Sequence, residues 1–187
     1  IHEICDKVIE ESGIKDIYSG DNSYTIPIFY DMNDLFESFV QKLFKKYYVE
    51  EDTEVKTQLQ EQSWKGDGLG SRGMRPDITM WKNECCLQII DVKYKTKIIE
   101  TSDLYQIGFY MHEFGFKNKD KKPIPHGFAI TPKFKDAKMG IYKSATGLKV
   151  HVKRIDVPSC LELIKTQNFE ELKKLVIKIT GSLGAYE

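Results

Sequence analysis

Arg75-Pro76-Asp77-Ile78-Thr79-Met80-Trp81 and Cys85-Cys86-Leu87-Gln88-Ile89-Ile90-Asp91-Val92-Lys93 flank Lys82-Asn83-Glu84, and the reading of this stretch decides the fold. Two runs suited to strands, separated by turn residues, predict a β-hairpin. The second run is nearly all apolar until Asp91, as a central strand covered on both faces should be. Asp77 lies near the start of the first strand and Asp91 at the end of the second, so hairpin pairing brings the two acids together. Side chains alternate along a strand, which puts Asp91 and Lys93 on one face and Val92 on the other.

Two carboxylates and a lysine at the end of an apolar strand are costly to bury unless they are paired or hold a metal. Asp77 and Asp91 are candidate ligands for a hard divalent cation, with the backbone carbonyl of Val92 as a further ligand. Such a cation neutralises phosphate charge and lowers the pKa of a bound water. The Lys93 ammonium can orient that water or stabilise the charged transition state. The residue types point to metal-assisted hydrolysis of a phosphodiester.

Upstream, Met32, Leu35, Phe36, Phe39, Val40, Leu43, Phe44 and Tyr47 form one stripe of helical period, with Asp31 or Asn33 as candidate N-cap. Glu37 lies about 100° round from the centre of that stripe, where it borders the core and can reach a neighbouring site. Val55, Thr57 and Leu59 alternate with polar residues as a half-exposed strand, and a glycine-rich connector follows over residues 66–73. Gly68, Gly70 and Gly73 match a dinucleotide-binding spacing by letters, but that motif requires a helix to follow, and here a proline-containing strand does. The connector reads instead as a mobile link or a DNA-facing lid, with Arg72 and Arg75 available to phosphates.

Downstream, Thr101 or Ser102 can cap a helix running to Gly115, with Leu104, Ile107, Gly108, Met111 and Phe114 on its buried side. Asp103, Gln106 and Tyr110 fall on one face of it. Residues 127–131 read as a short buried strand, and Leu148, Val150 and Val152 as another. Ser159 and Asn168 can each cap a closing helix, the second reinforced by Glu171. At the other end, Ile1, Ile4, Cys5, Val8 and Ile9 predict an amphipathic helix that stops before Gly13, followed by a loop or short hairpin over 14–30. The expected architecture is an α/β layer: a mixed central sheet of about five strands flanked by helices, in one domain spanning 1–187.

Pro76-Asp77 followed by Asp91-Val92-Lys93 resembles the signature of PD-(D/E)XK nucleases, whose fold is the restriction-endonuclease-like core. Gln106 and Tyr110 on the following helix resemble the QxxxY element of RecB-like nucleases, and Glu37 stands where those enzymes place another acid. The stretches 32–37, 75–78, 90–95 and 103–110 are similar to McrC, the nuclease subunit of McrBC restriction systems, and to its LlaJI-type relatives. The resemblance spans about residues 30–115. It implies Mg²⁺-dependent cleavage of double-stranded DNA, with Mn²⁺ as a substitute, driven by a McrB-like AAA+ GTPase and compatible with a nuclease-domain dimer on the DNA. It makes Asp77, Asp91, Lys93, Glu37, Gln106 and Tyr110 the catalytic set, with Glu37 an auxiliary metal ligand. Tyr94 and Lys95 extend the catalytic strand as candidate phosphate contacts. Competing readings are a stand-alone RecB-like nuclease, a type II restriction enzyme, and an inactive scaffold or DNA-binding module.

Composition narrows the field. With 28 Lys plus Arg against 28 Asp plus Glu in 187 residues, any nucleic-acid surface must arise from local clustering of charge. The lysines at 117, 119, 121 and 122 read as a solvated loop, with DNA tracking as the alternative. Cys5, Cys85, Cys86 and Cys160 lack metal spacing and read as buried free thiols, and His2, His112, His126 and His151 form no ligand pattern. No apolar run is long enough to span a membrane and no signal segment opens the chain, so the expectation is a cytoplasmic protein without a membrane partner. A first residue that is Ile1 and not Met fits a C-terminal fragment of a longer protein.

Overall fold

The computed structural model describes residues 31–68, 70–95, 99–118, 124–135 and 138–183. The helix expected over the first nine residues and the loop of 14–30 lie outside these, as do positions 119–122 of the lysine-rich loop. The elements in chain order are α1 (Met32–Tyr47), β1 (Thr53–Thr57), β2 (Glu61–Gly66), β3 (Gly70–Met74), β4 (Ile78–Lys82), β5 (Cys85–Val92), α2 (Thr101–Lys117), β6 (His126–Pro132), β7 (Gly140–Lys143), β8 (Lys149–Ile155), α3 (Val157–Lys165) and α4 (Phe169–Thr180).

Six strands form one mixed sheet in the order β1-β4-β5-β6-β8-β7, and β2 pairs with β3 in a separate two-stranded ribbon. The deciding hairpin is β4–β5, antiparallel from Ile78 opposite Ile90 to Lys82 opposite Cys85. Asn83 and Glu84 make its two-residue turn with φ of 50° and 63°, the doubly left-handed geometry whose twist matches the flanking strands. β5 then pairs in parallel with β6, the crossover being α2, as parallel neighbours require.

Alternation along β5 and β6 sorts the core onto two faces. Ile90, Val92, Phe128 and Ile130 pack with Phe36, Val40, Leu43 and Phe44 of α1, Cys160 of α3, and Leu172 and Val176 of α4. Cys86, Ile89 and Ala129 pack on the opposite face with Ile107, Tyr110, Met111 and Phe114 of α2. Each large side chain so buried contributes roughly 1.5–3 kcal/mol by removal from water. All eight residues of β5 are buried, which agrees with the expected central strand.

The mixed sheet flanked by helices is the expected architecture, and several details differ. The sheet has six strands because β7, exposed throughout, lines its edge, and an edge strand with no buried face leaves no apolar alternation to read. The glycine-rich connector is the ribbon β2–β3, turning at Gly68 and Gly70, whose φ values of 71° and 76° only glycine adopts readily. The half-exposed strand ends at Thr57. The strand placed from Arg75 begins at Ile78, and β5 ends at Val92, so Tyr94 and Lys95 lie beyond it. Glu100, not Thr101 or Ser102, is the N-cap of α2 and forms a reciprocal capping box with Asp103. Asp156, not Ser159, caps α3 and accepts the Ser159 N–H, with a proline in the first turn, while Asn168 caps α4 as expected. Leu104 and Gly108 on α2 are half-buried. Cys85, Cys86 and Cys160 are buried and in no disulfide, the Cys86 thiol pushed well above its ordinary pKa by burial. Among the described residues, no helix is long and apolar enough to cross a membrane.

Candidate active site

Asp91 takes the position after Ile89 on the α2 face of β5, where the pattern alone would place another apolar side chain. It is 1 % exposed. Asp77 stands just before β4, where that strand has peeled away from the end of β5, and its Oδ2 accepts the Val92 N–H at 2.6 Å. The next N–H, of Lys93, turns the other way to the Ile130 carbonyl of β6. The N–H and C=O of one strand residue leave from the same edge, so the Val92 carbonyl faces the Asp77 side. Two carboxylates and a backbone carbonyl therefore converge where β4 and β5 part.

Lys93 joins Asp91 as the strand period requires, its Nζ 3.0 Å from Asp91 Oδ2. The same ammonium donates to Gln106 Oε1 at 3.3 Å, and Gln106 Nε2 donates to Tyr110 Oη at 3.0 Å. A polar chain thus runs from the buried acid to the middle of α2. Asp91 Oδ2 is a buried oxygen whose polar neighbour among the described residues is the Lys93 ammonium at 3.0 Å. An oxygen left in that state fits a ligand for a cation.

Electrostatics agree with the geometry. Burial, then repulsion from Asp91, pushes the Asp77 carboxyl up to about 7, against the lowering effect of the Val92 N–H. Burial pushes Asp91 up to about 6, with Lys93 opposing. For Lys93 burial acts downward, yet the attraction of Asp91 and Asp77 leaves it above the ordinary lysine value. Two neighbouring acids whose charged forms are costly gain from an incoming cation, which would favour those forms.

Glu37 sits half-buried at the margin. Gln41 and Gln58 donate to its Oε1 at 2.8 and 3.1 Å, and its charge reaches both Asp77 and Asp91. Gln58, which the sequence did not single out, also gives its backbone N–H to the Asp77 carbonyl at 2.9 Å, so one residue links the two acids. Among the described residues no three His, Cys, Asp or Glu side chains are grouped closely enough to enclose an ion. The inner donors are two carboxylates and a carbonyl, a set that suits Mg²⁺, which keeps several waters, better than a closed zinc site.

The four candidate DNA contacts separate. Arg72 and Arg75 are exposed. Tyr94 packs edge-on against Phe36 and Phe134, a role in the wall of the core. Lys95 is held by Asp103 at 2.7 Å and Glu100 at 3.2 Å, so a phosphate would compete there with two carboxylates. Asp103, 6 % exposed, also accepts the Glu100 N–H at 2.9 Å. It ties the chain beyond β5 to the first turn of α2 and so helps set where Gln106 meets Lys93.

Comparison with known proteins adds a family and a fold. A family model described as McrBC 5-methylcytosine restriction system component matches residues 1–121, about two thirds of the chain. Among solved structures, the chain is similar to one in the refined half-complex from a tetradecameric assembly of Thermococcus gammatolerans McrB AAA+ hexamers with bound McrC. Identity is 14 %, the TM-score is 0.51, and the match covers 68 % of this chain and 28 % of that one. The likeness concerns the fold, and this chain spans little more than a quarter of the other's length. No curated protein matches in sequence.

Proposed function

The chain belongs to the McrBC 5-methylcytosine restriction system component family, and from that membership we propose that it is the DNA-cutting part of such a system, a Mg²⁺-dependent endonuclease acting on double-stranded DNA in the cytoplasm. The observation that carries the reading is the convergence of Asp77 and Asp91 about the Val92 peptide, with Lys93 Nζ 3.0 Å from Asp91. Asp77, Asp91 and the Val92 carbonyl would hold the ion, with Glu37 assisting from the margin. The ion, Mg²⁺ or Mn²⁺, would supply charge neutralisation at the phosphate and a more acidic water. Lys93 would orient an attacking water and offset the charge that builds on the phosphate. Gln106 holds Lys93 in place, and Tyr110 holds Gln106.

The partner is carried over from the similar structure, whose description sets McrC on McrB AAA+ hexamers. A GTP-hydrolysing AAA+ ring would deliver the DNA, and two copies of this chain acting on opposite strands would complete a double-strand break. The test is cleavage of methylated and unmethylated duplex DNA with Mg²⁺ or Mn²⁺, with and without the cognate motor and GTP. Cutting is expected with the wild-type chain. Asp91→Ala is expected to lower it by at least about 10²-fold, the scale for losing an electrostatic stabiliser of the transition state; undiminished cutting by that variant overturns the assignment.

A further inference from the structure

The ribbon β2–β3 lies outside the ladder of the main sheet, and Met74 at its base is buried in the α2-side core. Among the described residues its two strands pair only with each other, and it is fastened to α2 at two points. Trp64 lies parallel to Phe109, with ring centroids 5.9 Å apart, and Glu61 pairs with Lys117 at 2.7 Å. Gly73 permits the tight pairing at the base, since an added Cβ would meet the Glu61 carbonyl oxygen at 3.0 Å. The helix that carries Gln106 and Tyr110 into the candidate site therefore also carries the ribbon.

The ribbon's outer part is exposed, and there its cations outnumber its carboxylates. Lys65 and Arg72 are exposed, as is Arg75 just past the base. Glu61 is already neutralised by Lys117, which leaves Asp67 at the turn as the ribbon's remaining carboxylate, set against these cations. In a chain of zero formal net charge this is a local positive cluster. Arg72 lies directly opposite Trp64 in the ladder, so the two share one face of the ribbon, where the indole remains 62 % exposed, while Lys65 projects from the other face. Asp77 follows Arg72 by five residues, a reach of at most about 17 Å along an extended chain, or about five base-pair steps of duplex.

We propose that the β2–β3 ribbon is a clamp for duplex DNA, with Lys65 on one face and Arg72 on the other reaching phosphates along the duplex held at the candidate site, and the Trp64–Phe109 stack as its root. A two-stranded ribbon is narrow enough to enter a DNA groove, and the glycine-rich turn lets the backbone approach closely. The clamp rests on the DNA-cleavage reading for its setting, but its test does not depend on cutting.

Binding of the whole chain to a fluorescent duplex about 30 base pairs long is measured in EDTA from about 50 to 200 mM salt. The double variant Lys65→Ala with Arg72→Ala is expected to lose about tenfold in affinity and to make the slope of log K on log salt shallower by about two, one for each phosphate no longer neutralised. Asp67→Lys is expected to tighten binding and steepen the slope. Both changes are on exposed residues, and unaltered melting temperatures confirm intact folding. An unchanged slope and affinity in both variants overturns the clamp and leaves the ribbon to a protein partner, as does a wild-type chain that shows no salt-dependent binding. A slope that changes as expected in a chain that never cuts supports the clamp and sinks the nuclease reading alone.

Discussion

At the scale of single residues, Asp91 decides most. The ordinary place for a residue after Ile89 on this face is the core, and a carboxylate there is tolerable only with compensation. Lys93 compensates in part. Folded-state values of about 7 for Asp77 and about 6 for Asp91 lie above the 3.8 of the exposed group, so the metal-free fold takes up protons relative to the unfolded chain. Their contribution to stability is full below about pH 4 and lost as pH rises toward 7. Metal-free protein is therefore expected to melt progressively lower between these values. Asp77→Asn should flatten that trend and raise the metal-free Tm at neutral pH by about 3 °C or more, the effect of roughly 1 kcal/mol at this size. Mg²⁺ should raise the wild-type Tm and release protons while leaving Asp77→Asn nearly unmoved. Thermal scans against pH with and without Mg²⁺ check both, and a wild-type Tm indifferent to Mg²⁺ at neutral pH would remove the metal site.

At the scale of elements, α2 matters most, because it links the sheet, the polar chain to Lys93 and the ribbon. Its seat on β6 depends on Gly127, where an added Cβ would lie 2.6 Å from Ile107 Cγ2 and 2.6 Å from Met111 Sδ. Gly127→Ala must push the helix outward or force new rotamers, at a cost of about 1–3 kcal/mol. The same shift would loosen the Lys93–Gln106 contact, so cleavage should fall by more than the folded fraction does. Denaturant melts paired with cleavage rates per folded molecule test this; normal activity per folded molecule would show that α2 need not sit as observed. The amphipathic period of α2 announces the helix but not its first residue, since Glu100 is a less common N-cap than Thr101 or Ser102. Only the Lys95–Asp103–Glu100 contacts single it out.

At the scale of the whole molecule, the two faces of the sheet divide stability from chemistry. The α1, α3 and α4 side holds the larger apolar cluster, while Lys93, Gln106 and Tyr110 of the candidate site meet on the α2 side and only Glu37 comes to its margin from α1. Phe44→Ala, at a side chain with no exposure, should cost about 3–5 kcal/mol and leave metal affinity per folded molecule unchanged. Melting curves and metal titration read the two separately, and a parallel loss of metal affinity would argue that the faces are coupled. The sequence by itself determined the central hairpin, the central place of β5, the helices α1, α2 and α4, and the pairing of Asp91 with Lys93. All of these follow from local periods, a two-residue turn and the two-residue repeat of a strand, each written in adjacent letters. It also brought Glu37, Gln106 and Tyr110 into view through a family likeness, but not their contacts. Tertiary structure alone decided that Gln58 links Glu37 to Asp77, that Lys95 is occupied by two acids, that Tyr94 packs into a wall, and that a glycine-rich connector is a paired ribbon rooted on Phe109. Those facts depend on contacts between residues far apart in the chain, where no local period records who meets whom, and on burial, which turns the same carboxylate from a solvated charge into a buried group with a raised pKa.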